Sequence, residues 1–220
     1  MLNPQPFYTP QLHAERFLFD GHLPTIALQH AFGVARSSWA ARCAVVLTKL
    51  HFIMPPLLAF ALWTRRRSLF YRFAASMLAL SFAAAVVFLV YPAAPPWAAA
   101  KAQLAGPLVH VTHARESVSA GASGVANDSI ARLIPKNPYA AIPSLHAGYA
   151  FLVFLFVATL AWRARRRWLV AVAALYPLLE SGAVVYTGDH YVVDTLIGCA
   201  FATASYVLVE RLWRARRWPS

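Results

Sequence analysis

The stretch IPSLHAGYAFLVFLFVATLAW at residues 142–162, stopped by the basic run RARRR at 163–167, decides what kind of fold this chain can adopt. It holds no Asp, Glu, Lys or Arg. As a helix rising about 1.5 Å per residue it reaches across about 30 Å of hydrocarbon. Comparable apolar runs recur at about 40–63, 69–91, 168–187 and 190–210. Inside a bilayer every backbone group must find its partner within the protein, which a helix achieves by itself. The expected fold is therefore an all-α integral membrane protein, a bundle of five transmembrane helices. The segment from Phe17 to Ala35 is apolar in part, but Asp20, His22, Gln29 and His30 load it with polar groups and Gly21 and Pro24 interrupt it. We read it as interfacial or re-entrant, with a sixth span as the alternative.

Composition excludes the soluble globular class: 60% of residues are hydrophobic and 13% charged, with a mean hydropathy of +0.52. Twenty Lys and Arg against eight acidic residues leave a formal net charge of +12. In a soluble protein that excess would suggest nucleic acid, but no nucleic-acid-binding motif is present, and in a membrane protein it reports orientation. The expected partners are membrane lipids, not nucleic acid. Cys43 and Cys199 lie in or beside apolar runs, where a thiol serves as a small hydrophobe, and no disulfide is expected. The opening MLNPQPFYTPQLHAERF lacks the basic flank and apolar core of a signal peptide, so targeting is expected to come from the spans themselves.

Arginine sets the orientation. Arg65 to Arg67 with Arg72, the cluster Arg163 to Arg167, and Arg211, Arg214, Arg216 and Arg217 all fall on one side of a five-span reading, and the positive-inside rule places that side in the cytoplasm. Trp39, Trp63, Trp162, Trp168 and Trp213 sit at span ends as interfacial anchors. The expected organisation is an N-terminal interfacial segment 1–39, a single transmembrane domain 40–212 with an outer-side loop 92–141, and a basic cytoplasmic tail 213–220. That loop, about fifty residues long, is too long for a passive connector, and its centre SVSAGASGVANDS reads as a flexible lid.

Ionisable groups inside or at the mouth of a span are costly enough to count as functional candidates, and here they gather on the outer side. His146 falls about one turn into the third span, with Pro143 read in its first turn and Ser144 beside it. Free N–H groups at such a helix start, with the positive end of the helix dipole, make an anion site. His190 and Asp194 are spaced i, i+4 at the start of the fifth span, so the carboxylate is expected to stack under the imidazole and fix its tautomer.

These residues lie in motifs that resemble a known family. Ala141-Ile142-Pro143-Ser144-Leu145-His146 followed by Gly188-Asp189-His190-Tyr191-Val192-Val193-Asp194 is similar to the second and third signatures of the type 2 phosphatidic acid phosphatase superfamily. With Tyr91-Pro92-Ala93-Ala94-Pro95-Pro96-Trp97 the pattern looks like the inositol phosphorylceramide synthase branch. The resemblance implies a five- or six-helix membrane enzyme acting on a lipid phosphate or head-group phosphodiester. His190 would attack phosphorus to form a phosphohistidine, Asp194 would orient it, and His146 would protonate the departing oxygen and then deprotonate water or an alcohol. Metal is not required in this family, and no cofactor is expected.

The chain also departs from the family. Where the broader superfamily carries a Ser-Arg pair ahead of the third-motif histidine, this sequence has Ala183 and Val184, and the first-motif pattern of Lys with a distant Arg-Pro is absent. Other groups must then meet the phosphate charge. The candidates are Lys136, Tyr139, Ser144 and Tyr191, with Lys101 and Arg132 as further loop cations. Glu180 in the fourth span and Lys49 in the first lie about 10 to 14 Å below the outer surface and either pair with each other or line a head-group cavity. His51 lies near Lys49. His110 and His113 are spaced for a metal, but a third and fourth ligand are not evident, so no metal is expected. A polytopic transporter or channel is the competing class. It would show internal repeats or matching broken helices, and neither is visible.

Overall fold

The computed structural model describes residues 5–35, 38–112 and 139–215. Among these residues are eight helices, α1 (Thr9–Leu18), α2 (Pro24–Phe32), α3 (Trp39–Arg65), α4 (Arg67–Val90), α5 (Pro96–Lys101), α6 (Leu145–Arg163), α7 (Arg167–Tyr186) and α8 (Val192–Ala215). Five of them, α3, α4, α6, α7 and α8, are long and apolar enough to cross a membrane. The protein is an all-α integral membrane bundle. Helices α1 and α2 have 10 and 9 residues, about half of what a crossing needs. The six-span alternative therefore falls away.

Helix α6 packs against α7, α8 and α3, while α8 packs against α4 and α3 against α7. Leu80, Leu152 and Phe156 fill the middle of this bundle. The outer faces stay apolar, with Phe82 69% and Leu178 66% exposed, as lipid-facing positions are. Polar pairs stitch the spans: Ser81 to the Tyr149 hydroxyl at 2.8 Å joins α4 to α6, and Thr159 to the Tyr206 hydroxyl at 2.9 Å joins α6 to α8. At the arginine-rich end, Arg72 Nη1 donates to both Glu210 carboxylate oxygens at 2.6 and 2.7 Å.

Two boundaries differ from the sequence reading. Helix α8 occupies Val192–Ala215 rather than 190–210, so His190 precedes it, and Trp213 and Arg214 belong to its last turn rather than to a tail. Pro143 precedes the N-cap Ser144 instead of sitting in the first turn of α6. Both shifts arise because the side chains that satisfy a helix's first N–H groups decide where it starts, and apolar run length does not report them.

The segment before α3 forms a collar over the end opposite the arginine clusters. Phe7 N–H donates to the Pro92 carbonyl at 2.8 Å and Ala94 N–H to the Phe7 carbonyl at 2.9 Å, and on the other side Ala141 N–H donates to the Ala93 carbonyl at 3.3 Å. Residues 92–94 thus hold Ala141 in place through backbone bonds. In α2, Gln29 Nε2 donates to the carbonyls of Val109 and Tyr186 at 2.8 Å each, and its Oε1 accepts from Val109 N–H at 2.9 Å. The buried amide therefore clamps the segment after α5 to the end of α7.

Candidate active site

Helix α7 ends in a Schellman motif: Asp189 N–H donates to the Val184 carbonyl at 3.0 Å and Gly188 N–H to the Val185 carbonyl at 3.1 Å. Gly188 takes φ +82°, the left-handed region that glycine enters without a Cβ penalty. This turn delivers His190 to the bundle mouth just ahead of α8. There His190 Nδ1 lies 3.0 Å from the Ala141 carbonyl oxygen and 3.7 Å from Asp194 Oδ2. A carbonyl only accepts, so Nδ1 of the neutral ring carries the hydrogen and Nε2 presents its lone pair. His146 Nδ1, on the first turn of α6, faces that nitrogen at 3.1 Å, and donor–acceptor complementarity makes it the donor.

The expected stacking of Asp194 beneath His190 along one helix face is corrected by this geometry. His190 lies outside α8, and the backbone carbonyl of Ala141, not the carboxylate, is its nearest tautomer-fixing partner. Asp194, fully buried, sits at the third helical position and accepts from Tyr191 N–H at 2.9 Å through Oδ2. It thus caps α8 while adding negative charge behind the imidazole ring.

Glu15 of α1 satisfies two further donors of that helix start, its two carboxylate oxygens accepting from Val192 N–H at 3.0 Å and Val193 N–H at 3.1 Å. Burial raises its pKa above the usual carboxylate range, against the pull of these two bonds. Glu15→Ala leaves two part-buried N–H groups without their acceptors. We expect a loss of about 1–3 kcal/mol in thermal unfolding in detergent, with Glu15→Gln losing less because one acceptor remains. An unchanged melting temperature for the alanine variant would refute this capping role. Nothing in the sequence pattern pairs Glu15 with residues 177 and 178 positions away.

A cavity of about 1150 Å³ opens onto the two histidines, with Lys49, His51, Trp97, Lys101, His110 and Asp189 also on its wall. Asp189 accepts from His110 Nε2 at 2.7 Å, from Thr187 Oγ1 at 2.6 Å and from Thr112 Oγ1 at 3.1 Å. Burial works against its charge, but these bonds from His110 and Thr187, with the nearby imidazoles, hold its pKa below the usual carboxylate value. His110 stacks on Trp97, ring centroids 4.9 Å apart at 8°, and forms one wall of the cavity.

The remaining sequence candidates separate. Lys49 and Lys101 line the cavity. Ser144, 1% exposed, uses its hydroxyl to accept from Ala147 N–H at 3.4 Å as the N-cap of α6. Tyr191, 1% exposed, packs with Leu12 and Leu23 under the collar. Tyr139 meets Tyr8 edge-on at 6.4 Å. Lys136, Arg132, His113 and the SVSAGASGVANDS segment lie outside the described residues. The pairing suggested for Lys49 and Glu180 is replaced: among the described residues the nitrogen within 4 Å of Glu180 is that of His51, whose Nδ1 is 3.7 Å from Oε1. The reason is that the buried side of α3 at His51 faces α7, whereas Lys49 is exposed at the cavity.

The profile of the PAP2 superfamily matches residues 15–208. The chain belongs to the PAP2 superfamily. Among curated proteins it is similar to a phosphoinositol dihydroceramide synthase of Bacteroides thetaiotaomicron, 26% identical over 161 residues, which cover 66% of this chain and 47% of that protein. The chain thus spans about half the length of that relative. No solved structure matches. Of this PAP2 member's two departures from the superfamily pattern, one has a visible structural setting: Ala183 and Val184 are buried at 5% and 0%, and the Val184 carbonyl anchors the turn that carries His190.

Proposed function

We propose that this PAP2-superfamily protein is a membrane lipid phosphatase or phosphotransferase that works through a phosphohistidine on His190. The observation that carries the reading is the 3.1 Å contact between His146 Nδ1 and His190 Nε2 at the cavity, with His190 Nδ1 tied to the Ala141 carbonyl. A phosphoryl group entering between the two rings meets a lone pair on one side and a proton on the other. His190 Nε2 bonds to phosphorus as the bond to the leaving oxygen breaks, and His146, entering as the imidazolium, gives that oxygen its proton. In the second half, His146 takes the proton of water or of an alcohol whose oxygen bonds to phosphorus as the P–N bond breaks. Lys49 and Lys101 on the cavity wall supply positive charge for the phosphoryl oxygens where the superfamily would use its arginines.

The substrate is a phospholipid, a polyprenyl phosphate or a head-group phosphodiester. The relative's name, a phosphoinositol dihydroceramide synthase, supports transfer to a lipid hydroxyl as one of the two resolutions of the intermediate. Superfamily membership weighs against the transporter reading. Turnover of a panel of lipid phosphates and phosphodiesters by the purified protein, with a lipid alcohol added or withheld, separates transfer from hydrolysis. We expect activity to survive EDTA and to be lost with vanadate, a phosphoryl mimic. Loss in EDTA with resistance to vanadate would refute the phosphohistidine route.

The reading also carries a topology: the catalytic face toward the periplasm or exterior of a bacterial inner membrane, the arginine clusters and the C-terminus in the cytoplasm. Single cysteines at Ser68 and Arg165 should resist an impermeant thiol reagent in intact cells and react after permeabilisation. Labelling of either from outside would overturn it.

A further inference from the structure

The phosphohistidine reading leaves a buried carboxylate without a task. Glu180 is fully buried in α7 and neither of its oxygens has a hydrogen-bond partner. An isolated charge in such a place costs several kcal/mol, a cost that a positive charge shared with it would offset. The group within reach is His51, 8% exposed, whose Nδ1 is 3.7 Å from Glu180 Oε1. The same Nδ1 donates to the Thr48 carbonyl, which only accepts, so the hydrogen is fixed on Nδ1 and Nε2 keeps its lone pair. Beside it on the cavity wall stands His146, whose ring centroid lies 4.0 Å from that of His51 with the planes at 63°. Pro55, four residues after His51 and without an N–H, leaves the His51 carbonyl without its usual helical donor.

We infer that Glu180 and His51 are positioning residues that support the cationic form of His146, the form able to protonate a leaving oxygen. Glu180, His51 and His146 then hold one proton between them beyond the neutral imidazoles, and the trio is electrically neutral while His146 waits as the acid. When His146 passes that proton to the leaving oxygen, the trio is left with the net negative charge of Glu180. The acceptor's proton restores neutrality as the phosphohistidine is resolved, so the cycle balances without another reactant. Neither Glu180 nor His51 touches the bond being broken.

The inference rests on the phosphohistidine reading, and the experiment keeps the two apart. Wild-type protein, His51→Gln, Glu180→Gln and the double variant are assayed with aryl phosphates of graded leaving-group acidity and with an alkyl lipid phosphate. In parallel, the acid-labile phosphoenzyme is trapped from wild type. We expect each single variant to lose about 10- to 100-fold in kcat on the alkyl substrate, stay within about threefold on the most acidic phenol, and keep KM. The double variant should be no worse than either single, because the pair acts as a unit. Glu180→Gln keeps shape and volume, and an unchanged melting temperature shows that it folds. Equal losses on all leaving groups, a change confined to KM, or additive losses would overturn the inference while leaving the phosphohistidine intact. Failure to trap a phosphoenzyme from wild type overturns the parent reading, and the inference falls with it.

Discussion

We expect His190→Ala to abolish turnover and the proposed acid-labile phosphoenzyme together, a fall of about 10⁴-fold or more in kcat. The reason is positional: Nε2 of His190 is the ring nitrogen that keeps its lone pair toward the cavity, and among the described residues the donor His146 faces it at 3.1 Å. Asp194→Asn should behave more mildly than neutralising the carboxylate of a hydrolase triad, where the wrong tautomer costs about 10⁴. Here the Ala141 carbonyl holds Nδ1–H at 3.0 Å while the Asp194 oxygen stands off at 3.7 Å. A loss of about 10- to 100-fold is expected, from the missing negative charge alone. Rapid-quench labelling with a radioactive lipid phosphate checks both variants. A phosphoenzyme that persists in His190→Ala would move the nucleophile elsewhere.

Gly198→Ala should cripple the enzyme from a position that touches no substrate. A Cβ there would collide with the Ser144 carbonyl oxygen and lie 3.2 Å from its carbon, with Gly148 N at 3.3 Å. These are backbone atoms, so relief requires α6 and α8 to move apart, as close small-residue crossings forbid. Ser144 N–H donates to the Asp194 carbonyl at 3.1 Å across this crossing, and Ser144 caps the helix whose second residue is His146. Separating the helices therefore pulls His146 away from His190. A misplacement of about 1 Å costs about 10²-fold in rate, and overpacking adds about 1–3 kcal/mol of destabilisation. Gly182→Ala, with nothing within 4 Å of its added Cβ, is the control and should match wild type. Wild-type turnover and melting in Gly198→Ala would show that the crossing is looser than described.

Much of this protein is written in local pattern, and the rest is not. The five spans follow from run length and from arginines that stop each run, because hydrocarbon penalises any other arrangement of the same residues. The order of the YPAAPPW, PSLH and HYVVD motifs brings out His146, His190 and Asp194 for the same reason that intramembrane polar groups are conspicuous. Which partner each one meets was decided by the tertiary structure. The Ala141 carbonyl reaches His190 because residues 92–94 pair with residue 7 on one side and residue 141 on the other. Glu15 caps α8 across 177 positions, and Gln29 clamps Val109 to Tyr186, jobs that give the N-terminal collar its place over the site. Glu180 meets His51 and not Lys49 because helix packing chose which face of α3 turns inward. Periodicity and composition report how a segment treats its solvent, while hydrogen bonds between distant segments depend on backbone positions that only packing sets.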